Sequence, residues 1–175
     1  MLKYLYCKEV FSEIPSEITL GVSISGCRLK CVGCHSRELW EDRGEPLTSQ
    51  QVEVLLQQHK GITCLLLLGG EHDLDSLTEL LMHAHSKIKT AWYSGLDMIP
   101  KDKIGILDYL DYVKLGHYDM ELGGLDSPTT NQHLYQFSPY FDDVTTLGAG
   151  WRDITYQLQK NHGENTTAKG VDTMP

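Results

Sequence analysis

The sequence predicts an α/β fold, a single-domain partial (βα) half-barrel with a mostly parallel sheet, over residues 1–160. Three observations lead there. Ile62 to Leu68 is a seven-residue, largely apolar run between Gly61 and Gly69, the habit of a strand buried on both faces of a parallel sheet. Apolar residues at helical spacing precede and follow it, and glycine turns punctuate the alternation. Strand–helix–strand crossovers of this length place strands in parallel, and the four strands found are too few to close a full barrel.

Taken in order, Ile18, Leu20, Val22 and Ile24 alternate with small or polar residues, which gives a first strand ended by Ser25-Gly26. A loop carrying Cys27, Cys31 and Cys34 follows. Thr48 and Gln51 form a capping box, and Val52, Leu55, Leu56 and His59 continue at helical spacing, so a helix is expected over about 48–59, closed by Gly61. The 62–68 strand ends in a Gly69-Gly70-Glu71 turn. Asp75 is the expected cap of a second helix that buries Leu77, Leu80, Leu81 and Ala84. Ile88 to Tyr93 returns as a strand, a short helical stretch lies near 102–109, and a strand at about 111–115 ends in Lys114-Leu115-Gly116. Beyond it, Gly123-Gly124, Ser127-Pro128 and Thr129-Thr130-Asn131-Gln132 are turn and loop signals that leave the stretch unplaced. Residues 161–175 are polar with almost nothing to bury, and read as a flexible tail.

A length of 175 residues with 41% hydrophobic content suffices for one sizeable core. A formal charge of −9, from 15 basic and 24 acidic residues, leaves no basic stripe for a phosphate backbone, so nucleic acid is excluded as a partner. No charged-then-apolar leader is present and no apolar run approaches the roughly 20 residues that span a bilayer, so no membrane association is expected. The five cysteines are an odd number, and three of them crowd into eight positions. That pattern suits a metal cradle in a reducing compartment better than a disulfide framework, and places the chain in the cytoplasm.

In open α/β sheets binding groups gather at the carboxyl ends of strands, so the cysteine loop, Gly69-Gly70-Glu71, Tyr93-Ser94-Gly95 and Lys114-Leu115-Gly116 are expected on one rim. Cys27-x3-Cys31-x2-Cys34 offers three thiolates to a [4Fe-4S] cluster, which leaves one iron open to a group that is not protein. Glycines 69 and 70 let the backbone approach a ligand, and the Glu71 carboxylate complements a cationic amino group. The alternative for the cysteines is a structural zinc knuckle with His35 as fourth ligand, although adjacent Cys34 and His35 chelate one ion awkwardly. Cys7 and Cys64 read as packing residues or bystanders, and His59, His83 and His85 as surface or packing residues. Lys114 either reaches a cofactor carboxylate or forms a structural ion pair; Asn131 and Gln132 shape a turn or, alternatively, meet a partner.

The cysteine spacing and the Gly69-Gly70-Glu71 turn resemble the radical S-adenosylmethionine superfamily, in which a C-x3-C-x2-C loop follows the first strand and Gly-Gly-Glu ends the second. Cys31-Val32-Gly33-Cys34-His35, Tyr93-Ser94-Gly95 and Thr129-Thr130-Asn131-Gln132 are similar to the activating proteins of anaerobic ribonucleoside-triphosphate reductase, over about residues 15–135. The resemblance implies that Cys27, Cys31 and Cys34 hold the cluster, and that the open iron is chelated by the amino and carboxylate groups of S-adenosylmethionine. It implies that Gly69, Gly70 and Glu71 hold the methionyl amino group and that Lys114 is a candidate for the carboxylate. Gly33 stands where an aromatic residue is common and His72 where proline is common, so the adenine falls to His35 and the backbone of Gly33 and Cys34. The implied chemistry is one-electron cleavage of S-adenosylmethionine to methionine and a 5′-deoxyadenosyl radical, which takes hydrogen from a glycine of the reductase large subunit. The implied electron donor is a carrier such as flavodoxin or ferredoxin. Competing readings are a different glycyl-radical partner, a radical enzyme acting on a small molecule, and a non-catalytic iron–sulfur or zinc module.

Overall fold

The computed structural model describes residues 1–159, and the tail expected at 161–175 lies outside them. The strands are β1 (Lys3–Val10), β2 (Thr19–Ile24), β3 (Glu45–Pro46), β4 (Cys64–Leu68), β5 (Lys89–Tyr93), β6 (Tyr112–Leu115), β7 (His133–Phe137), β8 (Val144–Thr145), β9 (Gly148–Ala149) and β10 (Trp151–Asp153). Helices α1 (Ser49–Gln58) and α2 (Leu74–His85) and a 3₁₀ segment, Lys101–Tyr109, connect the central strands. One mixed sheet runs in the order β10-β7-β6-β5-β4-β2-β1-β3, and β8 and β9 form a separate ribbon. The parallel series foreseen from the sequence is its centre, β2, β4, β5 and β6.

Register explains why those four strands read as they do. The row Val22, Leu67, Trp92, Val113 faces α1 and α2, where it packs with Val52, Leu55, Leu77, Leu81 and Ala84. The next row, Gly21, Leu66, Ala91, Tyr112, faces the other way, toward a smaller core of Ile14, Leu134 and Ile154. Both faces are therefore covered, and β4 can carry no polar alternation. Each fully buried leucine of that strand contributes roughly 1.5–3 kcal/mol from burial. At the amino ends of the strands the buried Glu17 accepts from Tyr112 Oη at 2.8 Å, Lys89 Nζ at 2.6 Å and Thr63 Oγ1 at 2.5 Å. That network closes one end of the sheet and leaves the chemistry to the other.

The flanks differ from the expectation. β1 and β3 pair antiparallel beside β2, and β7 and β10 pair antiparallel beside β6, where the sequence had suggested loops or nothing. Outer strands meet solvent along part of their length, so β1 mixes Lys3, Lys8 and Glu9 with tyrosines and loses the apolar signature. Helix starts also needed correction. Thr48 caps α1 by accepting from Gln51 N at 3.1 Å, but the Gln51 side chain donates to Tyr4 Oη at 2.9 Å instead of completing the capping box. Asp73, not Asp75, caps α2, accepting from Ser76 N at 3.1 Å and Ser76 Oγ at 2.7 Å. Asp75 already lies in the first turn and pairs with Lys103. His59, His83 and His85 each meet a carboxylate, Glu9, Glu53 and Asp111, and so fasten helix ends to their surroundings. Among the described residues no helix is long and apolar enough to cross a membrane.

Because the cap is Asp73, Asp73→Ala should lower unfolding free energy in urea by about 1 kcal/mol, while Asp75→Ala should stay within about 0.5 kcal/mol of the parent. The opposite ranking would return the cap to Asp75.

Candidate functional site

Because the four central strands run parallel, their carboxyl ends lie side by side, and hydrogen bonds continue between the loops they release. Gly69 N donates to Tyr93 O at 2.9 Å, Ser94 N to Lys114 O at 2.9 Å, and Gly116 N to Leu96 O at 2.8 Å. Gly69 and Gly70 have φ of +90° and +95°, a left-handed turn that side chains resist. A Cβ on Gly70 would also lie 3.1 Å from Leu77 Cδ1 and 3.2 Å from Ile24 Cδ1. The turn sends Glu71 across to β5, where its Oε1 accepts from Gly95 N at 2.8 Å and Ser94 Oγ at 3.1 Å. Gly-Gly-Glu and Tyr-Ser-Gly, separate in sequence, are thus one unit. Sequence reading marked Ser94 and Gly95 as a strand end and did not connect them to Glu71.

Gly95 has a second neighbour, since a Cβ there would collide with the Leu29 side chain of the cysteine loop. The loop itself is anchored at its base by Gly26 N to Glu41 O at 3.2 Å and Cys27 N to Leu39 O at 2.9 Å. It turns tightly where Cys34 N donates to Cys31 O at 3.2 Å, with Gly33 at φ +77°. The three thiols are free and half-buried. Burial pushes the Cys27 thiol up; the backbone N–H groups of Leu29 and Lys30 that it accepts oppose this, while the charges of Glu71 and Cys31 add to it. Cys34 Sγ accepts from Ser36 N at 3.4 Å. Free thiols furnished with N–H donors fit the thiolate ligands of an iron–sulfur cluster, whose potential such bonds tune. Among the described residues no three His, Cys, Asp or Glu side chains gather as a ready single-ion site. His35, the fourth ligand of the zinc alternative, has its ring against Tyr118, with centroids 5.3 Å apart.

Two cavities open at this rim. One of about 670 Å³ is lined by Leu29, Cys31, Gly95, Asp97, Tyr118 and Met120. The other, of about 730 Å³, brings together His35 and Lys114 with Glu13, Tyr93 and Gln132. Lys114 is buried, and its Nζ donates to Ser94 O at 3.0 Å and Gly116 O at 2.9 Å, so carbonyls rather than an ion-pair partner hold it. Burial pushes its ammonium down to about 8, while the negative charges of Glu71, Cys31 and Asp97 act in the other direction. Cys7 and Cys64 stand elsewhere. Cys7 is on β1, with Sγ 4.0 Å from His59 Nε2, and Cys64 is fully buried in β4, where burial raises its thiol far above the usual range.

A family model described as a 4Fe-4S single cluster domain matches residues 18–133, from the edge of β2 to the start of β7. The chain belongs to that family. No curated protein and no solved structure matches it. The matched span of this single-cluster domain contains Cys27, Cys31 and Cys34, the Gly69-Gly70-Glu71 turn and Lys114, while Cys7 lies outside it.

Separate substitutions Cys27→Ala, Cys31→Ala and Cys34→Ala should each abolish the reconstituted cluster, read as iron content and visible absorbance, whereas Cys7→Ala and Cys64→Ala should retain it. A four-iron cluster persisting in a chain that lacks all three loop cysteines would overturn the ligand assignment.

Proposed function

We propose that this single-cluster domain activates anaerobic (class III) ribonucleoside-triphosphate reductase, generating a glycyl radical on its large subunit by reductive cleavage of S-adenosylmethionine at a [4Fe-4S] cluster. The observation that carries the reading is the placement of Glu71. Its carboxylate is held by Gly95, and Gly95 is the residue against which Leu29 of the cysteine loop packs, so an acceptor for an amino group's N–H adjoins a three-thiol loop. Three protein ligands and a neighbouring carboxylate suit a cluster that shares its fourth iron with an amino-acid-like cofactor.

In this reading Cys27, Cys31 and Cys34 hold the cluster. Both bonds to Glu71 fall on Oε1, so Oε2 is the oxygen that would accept from an N–H of the methionyl amino group, and Gly69, where a Cβ would lie 3.8 Å from Oε2, keeps the approach clear of a side chain. Lys114 uses two of its three donors on carbonyls and has the third for the cofactor carboxylate. His35, with the backbone of Gly33 and Cys34, takes the adenine. When bound, the cluster supplies the electron that breaks the S–C5′ bond, and a small carrier such as flavodoxin or ferredoxin supplies the cluster. The sheet as a partial half-barrel leaves its rim open, which suits a substrate that is itself a protein loop able to cover the radical.

The test is anaerobic: the reconstituted chain, a reductant, S-adenosylmethionine and the reductase large subunit, followed by electron paramagnetic resonance. Slow cofactor cleavage alone, productive cleavage with the reductase, and a glycyl signal lost when that glycine is replaced by alanine are expected. Conversion of a small metabolite with no effect of the reductase would replace this reading with the small-molecule one, and absence of any cofactor cleavage would leave a non-catalytic iron–sulfur module.

A further inference from the structure

The four residues that read as turn signals in the sequence, Thr129 to Gln132, all point at one loop. Thr129 Oγ1 donates to Leu122 O at 3.0 Å and Thr130 Oγ1 to Gly123 O at 3.3 Å. Asn131 Nδ2 donates to His117 O at 3.0 Å and Gln132 Nε2 to Gly116 O at 3.3 Å. Four consecutive side chains thus satisfy carbonyls at both ends of the 116–123 loop. The two backbones also touch: Gly116 has φ +111°, and a Cβ on it would lie 2.7 Å from Asn131 O and 2.9 Å from Gln132 Cα. A turn that merely reversed the chain would spend its side chains on its own backbone. Thr130 Oγ1 does accept from Gln132 N at 3.1 Å, but all four side chains also donate to the other loop.

What the clamped loop carries explains why it is held at both ends. Tyr118 is the residue whose ring faces His35. Met120 lies over Gly33, with its Sδ 3.0 Å and its Cβ and Cγ 3.1 Å from where a glycine Cβ would stand. His117 is tied to the β5 loop through Asp97, with Nδ1 to Oδ1 at 2.8 Å and N to Oδ1 at 3.2 Å. The loop therefore rests on the two residues between and after the last cysteines, and forms the wall of the 670 Å³ cavity opposite Leu29, Cys31 and Val32.

We propose that Thr129, Thr130, Asn131 and Gln132 are positioning residues, a four-point clamp that fixes the 116–123 loop against Gly33 and His35 and thereby sets the seat of the cofactor beside the cysteine loop. The cofactor part of this inference rests on the activase reading, whereas the clamp itself rests on the hydrogen bonds. It acts through Tyr118 and Met120 and touches no reacting atom.

The experiment compares the full chain, reconstituted anaerobically, with the double variant Thr129→Val, Asn131→Ala and with Thr129→Ser. Valine removes the hydroxyl at nearly constant shape, alanine removes the amide donor without adding a charge, and serine keeps the hydroxyl. Without cofactor, amide hydrogen exchange across 116–123 should be about tenfold faster in the double variant, given the modest net strength of two neutral hydrogen bonds, with β2, β4 and β5 unchanged. Iron content should be equal, and the dissociation constant of S-adenosylmethionine about tenfold higher, by the same two bonds. Thr129→Ser should behave as the parent in both. Unchanged exchange in the double variant, or acceleration spread evenly over the central strands, overturns the clamp. Faster loop exchange with unchanged cofactor affinity overturns its positioning role. Should the parent chain itself bind no S-adenosylmethionine, the activase reading fails, and the exchange comparison decides the clamp alone.

Discussion

Glu71 Oε1 accepts from the Gly95 amide and the Ser94 hydroxyl, and these two bonds turn adjacent strand ends into a single surface. A hydrogen bond to a charged acceptor contributes roughly 1.5–3 kcal/mol, enough to hold a carboxylate in one orientation against its rotamer entropy. Neither bond could form unless β4 and β5 ran parallel with Leu68 beside Tyr93, and a parallel arrangement is the one that goes with burial on both faces. The left-handed Gly69-Gly70 turn then reverses the chain so that Glu71 meets β5. The cysteine loop joins the same surface because Gly95 has no side chain and Leu29 occupies the space.

The charge distribution at the rim follows from this geometry. Glu71, Asp97 and Cys31 all bear on one buried ammonium, that of Lys114. A lysine in such a place is costly unless its protons have partners, and two carbonyls provide them. The site therefore sets a carboxylate acceptor at the end of β4 and an ammonium donor at the end of β6, with β5 between them, which suits the amino and carboxylate groups of an amino acid. Cys64 and Cys7, without N–H donors arranged around a loop, take no part in it.

What was legible in the sequence is what burial on both faces or a short motif spells out. The strand Cys64–Leu68, two residues shorter than the run from Ile62, the helix face of Leu77, Leu80, Leu81 and Ala84, and the cysteine and Gly-Gly-Glu turns lie where the pattern put them. The flanking strands were not legible, because β1 and β7 cover one side only and mix charged, polar and aromatic residues. The α2 cap was misplaced by two residues since both Asp73 and Asp75 satisfy the local rule, and only the fold assigns Asp75 to Lys103. Thr129 to Gln132 were read as a turn because side chains that bond a loop seven or more residues away leave no periodic trace.

The central claim is that S-adenosylmethionine chelates a cluster held by Cys27, Cys31 and Cys34, with Glu71 on its amino group. Electron–nuclear double resonance on the reduced, reconstituted chain, using cofactor isotopically labelled at the amino nitrogen, addresses it directly. The account expects a nitrogen coupling to the cluster spin in the parent chain and its loss or marked weakening in Glu71→Gln at matched iron content. A reduced four-iron cluster that shows no coupling to the labelled nitrogen at saturating cofactor would contradict it.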